Sequence, residues 1–351
     1  MPRERIVSPD SAGDAEDKFN WSLRPERLAD CIGQKALIEK LLIAIAAAKK
    51  RNEPLEHVLF YGPPGLGKTT MAHVLAHEMG TDIRLTSGPA LTRPADLVGI
   101  LTNLKRGEVL FIDEMHRLSP VVEEFIYPAM EDFKIDITMD RGSFARAFNI
   151  SLEPFTLVGA TTRAGFLSAP LRSRFGLFHH FDFYPEDELA LVAARAARLL
   201  GLEVTPEALK EITRRSRGTP RIANRLIRRV RDYAQVKARG KADLDAAREA
   251  LAMEGIDQHG LDDLDRRFLK TIVDYYHGGP VGIEALAATL NEETDTLVDM
   301  VEPYLLKEGL VGRTRQGRMA LNRAYEVLGL KPPKREKGDQ PELFTGDEPI
   351  P

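Results

Sequence analysis

Between residues 57 and 162 short apolar runs alternate with amphipathic stretches. Residues 58–61, 109–112 and 155–160 are apolar through most of their length, and 83–86 is a less apolar candidate holding Ile83 and Leu85. Runs this short, bounded by Gly, Pro, Asp or Thr, predict strands buried on both faces. Residues 70–78, 93–103 and 121–130 carry apolar positions at helical spacing, and an earlier helix does the same with Leu37, Leu41, Leu42 and Ile45. Strands alternating with helices predict an α/β domain, a parallel sheet covered on both sides. The rhythm breaks once. Residues 133–139 alternate apolar and polar, Asp140-Arg141-Gly142 reads as a turn, and residues 144–150 resume an extended pattern. That predicts a β-hairpin inserted before the last strand. Its apolar face (Ile135, Ile137, Phe148, Ile150) either packs on its own domain or protrudes as a docking surface.

Beyond residue 185 the pattern is helical, over 186–200, 205–215 and 221–238, each run beginning near a Pro or a capping residue. A third unit reads as a helix over 262–276, a Gly-Gly-Pro turn, helices over 283–290 and 293–307, and a hairpin over 309–321. Three helices followed by a two-stranded wing is the winged-helix order. Residues 1–20 and 333–351 are polar and predicted to be disordered. The expected domains are therefore 21–184, with the hairpin at 133–150, then 185–256 and 259–332.

A chain of 351 residues, 43% hydrophobic and 29% charged, has room for these domains and an ordinary soluble core. No apolar run approaches membrane-spanning length, and the start of the chain shows no signal-peptide pattern. The single cysteine, Cys31, excludes an internal disulfide and argues against a zinc site or a thiol pair, so a cytoplasmic location is expected. The net charge of −4 argues weakly against wholesale coating of nucleic acid. Charge is unevenly spread, however. From residue 313 to 337, Arg313, Arg315, Arg318, Arg323, Lys331, Lys334, Arg335 and Lys337 face only Glu326 and Glu336. This is either a phosphate-binding patch or a solvated hairpin.

The chemistry centres on Gly62-Pro63-Pro64-Gly65-Leu66-Gly67-Lys68-Thr69, which fits G-x-x-x-x-G-K-[ST] between a predicted strand and a predicted helix. Glycine-rich backbone at a helix start cradles phosphates. Lys68 is expected to reach the β- and γ-phosphates of a nucleoside triphosphate, and Thr69 to hold Mg²⁺. The strand at 109–112 ends in Asp113-Glu114. Following such a loop, Asp113 is expected to support Mg²⁺, and Glu114 to polarise an attacking water. The next strand ends in Thr161-Thr162-Arg163, where a hydroxyl can meet the γ-phosphate or only cap the strand. Arg172 and Arg174 lie on one short segment, and an arginine there can stabilise a transferring phosphoryl group, in cis or from a neighbour. Arg221 opens a helix, an unfavourable place for a cation unless an anion sits nearby.

These residues carry a resemblance. The chain resembles the AAA+ ATPases and, more narrowly, the RuvB family of Holliday-junction branch-migration motors. The matching phrases are Leu23-Arg24-Pro25 with Ile32-Gly33-Gln34, the P-loop, residues 111–118, residues 157–165, Arg172-Ser173-Arg174-Phe175-Gly176, and residues 221–225. The resemblance spans about 23–330. It implies an ATPase ring, a homohexamer, moving double-stranded DNA at Holliday junctions, with ATP and Mg²⁺ as cofactors. It implies roles as well: Thr162 as first sensor with Thr161 as fallback, Arg174 as trans arginine finger, and Arg221 as second sensor. Leu23, Arg24, Ile32 and Tyr184 become the adenine side of a pocket that also takes in Gly65, Gly67, Lys68, Thr69, Thr70, Glu131, Asp132 and Phe133. The hairpin 133–150 becomes the docking element for a RuvA-like protein, and a RuvC-like resolvase a further partner. Arg313, Arg315 and Arg318 become DNA contacts. The alternative is a clamp-loader-like or switch ATPase acting on DNA. Gln340-Pro341-Glu342-Leu343-Phe344 has the spacing of sliding-clamp peptides, a match short enough to arise by chance.

Overall fold

In a computed structural model of the chain, residues 24–139 and 146–333 are described. Both expected disordered termini, the hairpin tip and the clamp-like peptide lie outside them. The chain divides into two compact units, one ending at Tyr184 and the other beginning at Pro185.

The first unit is built on a five-stranded sheet. Its strands are β1 (Val58–Tyr61), β2 (Ile83–Ser87), β3 (Val109–Asp113), β6 (Thr156–Thr161) and β7 (Leu177–His180), in the order β2-β3-β6-β1-β7. Every neighbour pair is parallel. The two-residue period of a strand explains the uninterrupted apolar runs. Leu59, Leu110, Ile112 and Leu157 enter a core on one face, beside helices Pro94–Leu101 and Pro120–Glu131. Val58, Phe60, Val109, Phe111, Val158 and Ala160 enter a second core on the other, beside helices Lys35–Arg51 and Lys68–Met79. The strand β7 had no counterpart among the sequence-predicted strands.

The inserted hairpin forms from β4 (Lys134–Met139) and β5 (Arg146–Ser151), paired antiparallel with Ile135 opposite Ile150. Its apolar face is divided between buried and exposed positions. Ile135 is fully buried in the sheet's first core, whereas Phe148, further out, is 49% exposed.

The second unit opens with helices Glu186–Leu199, Pro206–Arg214, Pro220–Lys237 and Leu244–Met253, the last absent from the sequence prediction. Ala223, Leu226, Ile227, Val230 and Ala234 form the buried stripe of the longest. The winged-helix part follows, around Phe268, Leu286, Leu297, Leu305 and Val311. Its wing is β8 (Val311–Thr314) and β9 (Gly317–Ala320), and helix Asn322–Val327 follows where the sequence suggested none. The helix predicted over 262–276 ends in a π-turn at Thr271–Tyr275, and the one predicted over 293–307 is interrupted by a π-turn at Leu297–Val301.

Candidate active site

The loop after β1 leaves the sheet at its C-terminal edge. In sequence β1 leads to β2 at one edge, while in space it pairs with β7 at the other. Such a change of direction is the usual ligand position in an open parallel sheet. Gly62 sits at φ +135°, and a Cβ there would come within 2.5 Å of the Phe181 carbonyl oxygen. Gly67 (φ +100°) precedes helix Lys68–Met79 without any side-chain cap, so the first N–H groups of that helix are left for an anion. Lys68 is buried, and its Nζ donates to the carbonyls of Gly62 and Pro63 at 2.7 and 2.8 Å.

Thr69 Oγ1 donates to Asp113 Oδ2 at 3.4 Å, tying the helix start to the end of β3. A hydroxyl beside a carboxylate is an oxygen donor set for a hard cation. Among the described residues no group of three or more His, Cys, Asp or Glu gathers to hold a metal. Mg²⁺ in such sites relies on few protein ligands and on the substrate's phosphates, so the residues present fit it. Glu114 donates its backbone N–H to Asp113 Oδ1 at 2.9 Å and takes a left-handed conformation, φ +47°. A glutamate in that region is strained, and such strain concentrates at functional sites. Its half-exposed carboxylate meets Arg117 at 3.3 Å.

At the end of β6 the two threonines differ. Thr161 Oγ1 pairs with His116 Nδ1 at 2.9 Å and accepts from the Arg163 N–H at 3.0 Å. Thr162 Oγ1 is buried and has no hydrogen-bond partner among the described residues. A buried hydroxyl without a partner is costly, so this one is poised for a ligand.

On the adenine side, Leu23 lies outside the described residues. Gln34 Nε2 donates to the Asp182 carbonyl at 2.7 Å, joining the segment of Ile32 to that of Tyr184. Burial and, to a lesser extent, the Arg24 charge lower the pKa of His73, in helix Lys68–Met79, to about 4.

Glu131, Asp132 and Phe133 lie elsewhere. The His57 ring, at the start of β1, reaches the Met130 carbonyl at 3.0 Å, and Phe133 packs on Phe155 with ring centroids 5.8 Å apart. These residues therefore sit at the N-terminal end of the strands, opposite the P-loop. A four-residue strand separates the two ends by about 13 Å. The expectation that they line the same pocket as Lys68 is corrected: within one chain they do not. Arg174 shares their end. Gly176 and Leu177 donate to the His57 carbonyl at 3.1 Å, and Arg174 itself meets Glu131 at 3.1 Å and stacks 4.5 Å over Tyr127.

In the second unit, Arg221 is exposed in the first turn of helix Pro220–Lys237, behind an N-cap Thr219 whose side chain makes no cap bond. In the wing, Arg313 and Arg318 converge on Glu302, each at 2.6 Å. Glu302 is fully buried; burial raises its pKa, but the two arginines outweigh that and hold it below its usual value. Arg318 is thus part of the domain's framework, whereas Arg315 at the wing turn is exposed, and Arg313 is exposed as well although it pairs with Glu302. Sequence reasoning missed His116, Tyr127 and Glu302, whose roles arise from long-range contacts without a local pattern.

Three stretches match known families end to end: residues 23–181 the Holliday junction DNA helicase RuvB P-loop domain, 184–257 the RuvB AAA lid domain, and 258–329 the RuvB C-terminal winged helix domain. A protein of Desulfosudis oleivorans, described as Holliday junction branch migration complex subunit RuvB, is 56% identical over 94% of this chain and 96% of its own. The solved Thermotoga maritima RuvB Holliday junction branch migration motor is 49% identical, with TM-score 0.83, over 89% of this chain and 99% of its own. An alanine-to-serine mutant of that protein matches at 49% and TM-score 0.84, over 89% and 100%. P-loop, acid pair, helical lid and winged helix together define a P-loop ATPase of the AAA+ class. The chain belongs to the RuvB family of that class, the ATPase motors of Holliday-junction branch migration.

Proposed function

We propose that the chain couples ATP hydrolysis to movement of double-stranded DNA through Holliday junctions, as a homohexameric ring in the cytoplasm. The observation that carries this reading is the arrangement of buried Lys68 with the Thr69–Asp113 contact at the C-terminal sheet edge, in a chain matching the family throughout. Lys68 and the helix N-terminus bind and orient the phosphates. Thr69 and Asp113 would hold Mg²⁺, which neutralises charge on the phosphate oxygens. Glu114 orients the attacking water and draws off its proton. Thr162 contacts the γ-phosphate, a role its unpartnered hydroxyl supports. Arg24, Ile32 and Tyr184, with Leu23, receive the adenine, and Arg221 contacts phosphate from the lid.

Arg174, paired with Glu131 at the strand end that Asp132 and Phe133 share, faces the nucleotide of a neighbouring subunit. Its position at the strand end opposite its own P-loop supports trans rather than cis action. The hairpin 133–150 docks a RuvA-like protein, which brings the ring to the junction, and a RuvC-like resolvase acts on the same complex. Arg315 tracks DNA phosphates.

A junction assembled from labelled oligonucleotides tests the whole reading. With a RuvA-like partner, ATP and Mg²⁺, the chain should separate it into two duplexes, and Lys68→Ala should not. ATP turnover with no strand displacement at any partner concentration would favour the loader-like alternative.

A further inference from the structure

Arg217 is used by none of these roles, yet it is among the most heavily bonded side chains of the second unit. It lies in the tight turn between helices Pro206–Arg214 and Pro220–Lys237, at φ +55°. Its side chain, 8% exposed, leaves the lid and enters the winged-helix part. There Nε donates to the Gly260 carbonyl at 2.9 Å, and the guanidinium pairs with Asp262 at 2.7 Å and Asp265 at 2.5 Å. The same group stacks 5.3 Å from the Tyr304 ring, whose hydroxyl donates to the His259 carbonyl at 2.6 Å.

Its two carboxylate partners are themselves a reciprocal cap. Asp262 accepts from the Asp265 N–H, and Asp265 from the Asp262 N–H, both at 3.0 Å, at the start of helix Asp263–Lys270. Burial pushes the Asp265 carboxyl up to about 7 despite the arginine, a mark of how dry the joint is. Arg215 adds a bond to the Ile256 carbonyl at 3.2 Å, and Arg266 one back to the Gly255 carbonyl at 2.9 Å. The two parts touch closely enough that a Cβ on Gly260 would lie 2.9 Å from the Arg215 carbonyl oxygen. A planar guanidinium with bidentate and stacking contacts fixes orientation, which a point charge does not.

We propose that Arg217 is the positioning residue that joins lid and winged helix into one lever, carrying movement at Arg221 to the DNA-binding domain. Arg221 follows Arg217 by four residues, across Gly218-Thr219-Pro220. A shift of the lid helix start therefore moves the anchor of the winged helix directly. The proposal rests on the reading of Arg221 as a nucleotide contact.

Spin labels on Val236→Cys in the lid and Met300→Cys in the winged helix, both exposed, report the joint directly in a Cys31→Ser background. The label separation should be narrowly distributed and identical with ATP analogue and ADP. Arg217→Met should broaden it, and Arg217→Lys should restore it only in part. In the full motor, Arg217→Met should keep basal ATPase and duplex affinity while ATP consumed per base pair migrated rises threefold or more. Should Arg217→Met melt early, Asp262→Asn, which retains a good helix cap, loosens the same joint and should show the same uncoupling. A separation that differs between nucleotide states in the parent, or coupling unchanged in these variants, overturns the lever. Wild-type ATPase in Arg221→Ala would instead overturn the reading of Arg221, leaving the label distances as the independent test of the joint.

Discussion

Arg174 and Glu131 are paired at 3.1 Å at the end of the sheet opposite Lys68. The pair, with Tyr127 under the guanidinium, points the arginine away from its own P-loop. That direction supports the trans role proposed for it. Arg174→Ala should bind ATP normally and hydrolyse it on the order of 10³-fold more slowly. Glu131 is 56% exposed, so losing its partner should leave the melting temperature nearly unchanged. Rings mixed from Arg174→Ala and Lys68→Ala subunits should recover part of the ATPase, because some interfaces regain both halves. ATPase assays across mixing ratios check this, and a flat line at zero would count against trans action.

The two threonines after β6 should separate by phenotype. Thr162→Val removes a hydroxyl with no partner among the described residues, so turnover should fall tenfold or more while stability holds. Thr161→Val removes a buried hydroxyl bonded to His116 and to a backbone N–H, and should lower stability by about 1–3 kcal/mol. Thermal melting beside steady-state ATPase distinguishes them. If Thr161→Val loses turnover and Thr162→Val does not, the sensor is Thr161.

His73 gives a pH dependence with a definite sign. Its folded pKa is lowered to about 4, so the unfolded chain, titrating near 6.5, binds the proton first. Its contribution is complete above pH 6.5 and is lost as pH falls toward 4. Denaturant midpoints at pH 7.5, 6 and 5 should fall more steeply for the parent than for His73→Gln. Equal slopes would remove His73 from the acid sensitivity.

Much of this architecture was legible beforehand because it is local. Apolar runs of four to six residues, a phosphate loop with a fixed spacing and a carboxylate pair after a strand are each written in consecutive residues. What escaped is what only the fold decides. The segment Leu177-Phe178-His179-His180 becomes a strand through its parallel register with Val58–Tyr61, more than a hundred residues earlier. The resemblance placed Glu131, Asp132 and Phe133 in the nucleotide pocket but could not say at which end of the strands they fall. Counting charges marked the wing as basic without showing that Glu302, 11 and 16 residues upstream, holds two of its arginines.

The hairpin's packing changes which substitution tests it. Ile150 lies opposite Ile135, which is fully buried in the domain core, so Ile150→Asp would injure the ATPase itself. Phe148 is 49% exposed and lies on the same face further out. Phe148→Asp should leave basal ATPase within twofold of the parent and weaken a RuvA-like partner at least tenfold by pull-down titration or calorimetry. Retained affinity would move the docking site elsewhere.

The wing separates framework from contact. Arg318 is 19% exposed and bonded to buried Glu302, so Arg318→Ala leaves a carboxylate with one arginine in place of two. That should cost about 2 kcal/mol of winged-helix stability, a hydrogen bond to a charged group. Arg315 lies exposed at the turn between the strands, where a duplex backbone can approach. A motor has to pass every sequence at similar cost, so its contacts belong on phosphates, which position the protein without reading bases. Arg315→Ala should weaken binding equally for two unrelated duplexes and flatten the plot of log affinity against log salt by about one unit. ATP affinity should not move, and DNA-stimulated turnover should fall with branch migration. An unchanged salt slope, or a loss confined to one sequence, would deny Arg315 the phosphate contact. A flattened slope for Arg318→Ala at unchanged melting temperature would return that role to Arg318.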